Sequence, residues 1–105
     1  MIDEGKVVST EKQKEMLHKI FDELFEIYEN RSGRYGGTVI HELGLKGRYS
    51  DMFNKNFRLY SELWEEEPED WELDNIYEHA RDLANYTIFL MLQIKAIKKG
   101  KVKKK

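Results

Sequence analysis

At 105 residues, 40% of them hydrophobic and 36% charged, the chain has the length of one domain and the balance of a folded helical or mixed protein rather than a disordered tract. It contains no cysteine, which excludes disulfides and thiolate metal sites and suits a reducing, cytoplasmic setting. Residues 1–9 lack the apolar centre of a signal peptide, and no apolar run approaches the roughly 20 residues of a membrane span. The net charge of −2 hides two blocks. Lys98, Lys99, Lys101, Lys103, Lys104 and Lys105 form a basic end, and the remainder carries 12 bases against 20 acids, or −8. Such a body repels nucleic acid, so any contact with it would run through the tail.

Residues 1–9 read as a loose arm, after which Ser9 or Thr10 caps a helix running to about Asn30. Met16, Leu17, Ile20, Phe21, Leu24, Ile27 and Tyr28 recur at three- and four-residue spacings and form one stripe, expected to face a core. Residues 31–37 hold three glycines and read as a sharp hinge. Residues 38–45 form a short helix or an irregular loop ended by Gly44 and Gly47. A second helix is expected from about Tyr49 to Glu66, with Met52, Phe53, Phe57, Leu59, Tyr60, Leu63 and Trp64 repeating helically and Pro68 beyond its end. Seven of the ten residues 65–74 are acidic and separate it from a third helix. That helix starts near Trp71 or Asp74 and stops near Lys98 to Gly100, leaving a disordered basic tail. Residues 86–92 leave no polar side, and burial all round is the expectation. Three helices of this length cannot easily enclose one of their number, so a single-domain all-α antiparallel bundle completed by homo-oligomerisation, as a dimer or tetramer through residues 86–92, follows.

Carboxylates suitable for a cation lie on the first and third helices. Asp22, Glu23 and Glu26 form a D-E-x-x-E pattern whose members are near neighbours on the helix surface, and Glu78, Asp82 and Asn85 project together from the third helix. Hard oxygens from two facing helices suit Mg²⁺ shared with substrate phosphates, although acids fall at such spacings by chance on any solvated face. His18, His41 and His79 share no ligand spacing. Arg34, within a glycine-rich stretch that lacks the features of a P-loop, can meet a phosphate. Lys55 and Arg58, on the polar side of the second helix, can do the same or simply pair with Glu62. Asn56 lies among Met52, Tyr60 and Leu63, where it either ties helices together or reads a base edge. Trp64 and Tyr35 are core residues or stacking platforms.

Tyr35-Gly36, Gly44-Leu45-Lys46-Gly47, Lys55-x-x-Arg58-Leu59 and Asp82-Leu83-Ala84-Asn85-Tyr86 recur in an order that resembles the phage and bacterial family called nucleotide modification associated domain type one. That family is itself similar to the MazG-like all-α nucleoside triphosphate pyrophosphohydrolases. The resemblance covers roughly residues 15–95. It implies a MazG-like, usually oligomeric bundle that hydrolyses a nucleoside or deoxynucleoside triphosphate to monophosphate and pyrophosphate with Mg²⁺. Asp22, Glu23, Glu26, Glu78 and Asp82 would then lie at the metal, with Glu23 and Asp82 catalytic, while Arg34, Lys55, Arg58 and Asn85 would hold the nucleotide phosphates or the metal shell. Arg34 stands where the family has an aspartate and Asn85 where the superfamily has a carboxylate. The alternative is therefore a noncatalytic nucleotide-binding or phage accessory oligomer that keeps the fold.

Overall fold

The computed structural model describes residues 8–34 and 43–104, with side chains for 8–31 and 43–100. Every element among them is helical: α1 (Thr10–Arg34), α2 (Gly44–Tyr60), a π-helical turn (Ser61–Glu65), a 3-10 turn (Asp70–Glu72) and α3 (Leu73–Lys104). Residues 1–7 and 35–42, and with them His41, Tyr35 and most of the expected short helix, lie outside the described residues.

Local chemistry explains the boundaries. The Ser9 hydroxyl accepts from the Lys12 amide at 3.3 Å, satisfying one of the free amides that open α1. The helix does not end near Asn30 but continues to Arg34, with the Arg31 guanidinium lying 5.5 Å over the Tyr86 ring and holding the last turns against α3. Gly44 opens α2 rather than closing a helix: its φ of +71° is the left-handed turn that a side chain disfavours. Gly47, expected as a stop, is buried inside α2. Glu69 and Glu72 form a reciprocal capping box, with the Glu69 amide donating to a Glu72 carboxylate oxygen at 2.9 Å. Gly100 does not end α3, which carries the basic tail, expected to be disordered, in helix as far as Lys104.

α3 is the central element. α2 packs along it far more extensively than α1 does. The pairs Arg48 with Gln93, Lys55 with Asp82 and Glu62 with His79 ascend one helix while descending the other, so α2 and α3 are antiparallel. α1 meets α3 where the Tyr28 ring lies 5.8 Å from that of Phe89 and where Leu24 and Tyr28 share a cavity with Ile88 and Leu92. The arrangement is open: the radius of gyration is 16.9 Å, against about 13 Å for a compact chain of this size.

Among the described residues the buried apolar side chains are Leu24, Ile76 and Phe89, and the two most deeply buried side chains are polar, Asn85 and Gln93. Residues 86–92 are not enclosed within the chain. Phe89 is buried between α1 and α2, its flanking residues are half-buried, and Met91 is 57% exposed. The stripe on α1 is likewise bare at Met16, Leu17 and Phe21. No helix among the described residues is long and apolar enough to cross a membrane.

Candidate functional site

α2 packs on α3 through a mixed face, with Gly47, Met52 and Leu59 covered beside Arg48, Asp51 and Lys55, while its aromatic residues stay mostly exposed. Lys55 and Arg58 follow one another by three residues and so share a helix face. Lys55 Nζ sits 3.1 Å from Asp82 Oδ2, with both side chains about three-quarters covered. Beside this pair an open cleft of about 520 Å³ is lined by Asp51, Asn54, Lys55, Phe57, Arg58 and Tyr86. One end of the α2–α3 contact is pinned by Arg48, whose Nε donates to Gln93 Oε1 at 3.0 Å and whose guanidinium lies 5.0 Å over the Phe89 ring. Burial pushes the Arg48 pKa down, and the charges of Asp51 and Tyr86 only partly oppose that shift. The other end is pinned by Glu62, which accepts from Asn75 Nδ2 at 3.3 Å and lies 2.8 Å from His79 Nδ1.

A second polar group joins α1 to α3. Arg81 reaches Glu23 at 3.6 Å and Glu78 at 3.5 Å, and the Tyr77 hydroxyl donates to Glu23 at 2.7 Å. That hydrogen bond raises the Tyr77 pKa, because losing the phenol proton would place a second negative charge beside Glu23. One turn beyond Arg81 is Asn85, 1% exposed, whose amide nitrogen and oxygen make no hydrogen bond among the described residues, as is also true of the buried Arg81 Nε.

The expected carboxylates are thus separated by the chain's own cations. Asp82 faces Lys55, whereas Glu23 and Glu78 face Arg81. Asp22 and Glu26 are exposed on α1. Among the described residues no group of three or more His, Asp or Glu is placed to hold a metal ion. Lys55 and Arg81 thus neutralise Asp82, Glu23 and Glu78 within the chain. The side chain of Arg34 lies outside the described residues. Asn56 is exposed rather than buried, on the flank of α2 where it borders Leu83 and Thr87 of α3, and Trp64 in the π-helical turn is 82% exposed rather than core.

Arg48, Arg81 and Tyr86 were not singled out by sequence reasoning. Arg81 has a local signal in its three-residue spacing from Glu78, and Tyr86 was absorbed into the apolar run although its ring lines the cleft. Arg48 had none, since its partners Gln93 and Phe89 are distant in sequence. No protein-family profile matches the chain, and no curated protein or solved structure is similar to it.

Proposed function

We propose that this chain is the subunit of a homo-oligomer that binds a nucleoside triphosphate in the α2–α3 cleft. One observation carries the reading: the cleft sets two cationic side chains, Lys55 and Arg58, beside two aromatic rings, Phe57 and Tyr86. Phosphate recruits the cations through charge-assisted hydrogen bonds, a base stacks on a ring, and Asp51 and Asn54 offer polar contacts to sugar or base. Its ordered motifs extend the proposal to Mg²⁺-dependent hydrolysis to monophosphate and pyrophosphate. In that case Glu23 and Asp82 must first give up their arginine and lysine partners, or a neighbouring subunit must supply further oxygens.

The Lys55–Asp82 and Arg81–Glu23 pairs favour a second reading, nucleotide binding without rapid turnover. Calorimetric titration with a panel of ribo- and deoxyribonucleoside triphosphates, with pyrophosphate release followed on the same samples, separates the two. Lys55→Ala is expected to weaken binding about 10-fold or more, as loss of one charge-assisted hydrogen bond of roughly 1.5–3 kcal/mol implies. Saturable binding with pyrophosphate release abolished by Asp82→Ala supports the hydrolase, and binding with no product supports the noncatalytic protein. Absence of binding by any triphosphate sinks both.

A further inference from the structure

The outward face of α2 presents Tyr49, Phe53, Phe57 and Tyr60, spaced four, four and three residues apart, as a continuous ladder with successive ring centroids 6.3, 6.4 and 6.5 Å apart. Their exposures are 63%, 52%, 60% and 43%. α2 therefore buries a mixed face on α3 and leaves most of its aromatic stripe bare, with Tyr49 and Phe53 only bordering Leu83 and Thr87 of α3. No Asp, Glu, Lys or Arg shares this stripe between residues 49 and 60, in a chain that is 36% charged.

We infer that the stripe is a two-fold interface in which α2 packs antiparallel on α2 of a second copy. This deepens the self-association proposed above by naming the face that makes it. An isologous interface needs a patch complementary to itself, and the order Tyr, Phe, Phe, Tyr is a near-palindrome about residue 55. Antiparallel pairing sets Phe53 of one copy against Phe57 of the other at the dry centre, and Tyr49 against Tyr60 at the ends, where their hydroxyls reach water. This is the apolar-core, polar-rim pattern of protein interfaces. Four aromatic side chains of about 200 Å² each, roughly half exposed, offer about 400 Å² per copy, which is half of the ~800 Å² that a standard interface buries on each side, so the neighbouring surface must supply the remainder. Leu63 and Trp64, 53% and 82% exposed in the π-helical turn, extend the apolar surface beyond Tyr60. Phe57 also lines the cleft, so pairing takes its ring into the interface and leaves Tyr86 as the ring on which a base stacks.

The test is sedimentation velocity of the full chain at micromolar concentration, with Phe53→Glu as the probe and circular dichroism as the check on folding. The wild type is expected to sediment as an even-numbered oligomer and Phe53→Glu as a species of half that mass with its helicity retained. Because the chain has no cysteine, Asn56→Cys supplies a second measurement that does not depend on Phe53→Glu folding: near the axis, it is expected to form a disulfide-linked dimer on mild oxidation. A folded wild-type monomer would remove self-association altogether. An oligomer whose mass is unchanged by Phe53→Glu, or that yields no cross-linked dimer through Asn56→Cys, would leave self-association standing and overturn this interface.

Discussion

Replacing Asn85 by leucine should make the protein more stable. The side chain is 1% exposed, and neither amide atom has a hydrogen-bond partner. An amide desolvated without compensation costs about 1–3 kcal/mol by mutational measures, whereas a similarly shaped apolar side chain carries no such penalty. Leucine has the same branching at Cγ but is larger, and fitting it offsets the gain by up to about 1.5 kcal/mol. The expected net is a stabilisation of about 1–2 kcal/mol, or an increase in Tm of about 4–8 °C per kcal/mol for a domain near this size. Thermal unfolding followed by circular dichroism at fixed protein concentration measures it, the fixed concentration being needed because assembly would shift Tm by mass action. A loss of stability would refute the reasoning, since it would mean that the amide has a partner in the assembled protein. If Asn85→Leu is both more stable and defective in nucleotide binding, the orphaned amide belongs to the site, as strained or unsatisfied groups often do.

Arg48→Ala should destabilise the chain by about 1–3 kcal/mol in urea unfolding, because the deeply buried Gln93 loses a charged donor. Gly44→Ala should cost about 1–2 kcal/mol by the same measurement: a Cβ there meets nothing within 4 Å, so the penalty is the left-handed φ alone. Tyr77 gives a pH dependence with a defined sign. Its folded pKa is raised, so the stability contributed by its hydrogen bond to Glu23 is fully present below the unfolded value, about 10, and is lost as pH climbs through the higher folded value. Phenolate absorbance should show one tyrosine titrating above that range, and Tyr77→Phe should remove it; an unchanged titration curve would count against the bond.

Helical periodicity was legible wherever a stripe repeated regularly. The three long helices, the Ser9 cap and the stop before Pro68 follow from residues within a few positions of one another. Glycine was the weak signal: Gly44 and Gly47 read as breakers, yet one opens a helix and the other is buried within it, because a positive φ or a small side chain serves either purpose. The site was half legible. Lys55 and Arg58 could be proposed from type and spacing, whereas Asp82 was assigned to a metal because nothing local revealed that Lys55 stands 3.1 Å away. Arg81 similarly takes the carboxylates of both Glu23 and Glu78, a role that exists only once α1 lies beside α3.

The sequence by itself determined that the described residues are helical, the centres of the three long helices and which face of each is apolar, because those properties depend on spacing along the backbone, whereas several helix ends did not follow from it. Which face meets which was decided only by the tertiary structure. The second helix has an apolar and a polar side, and periodicity favours burying the former. The facing side of α3 offers Asp82, His79 and Gln93 beside Leu83 and Phe89, so a face mixing Arg48 and Lys55 with Met52 and Leu59 docks and most of the aromatic ladder is left bare. Pairing of charges depends on the relative placement of two helices, to which a pattern within either one is blind.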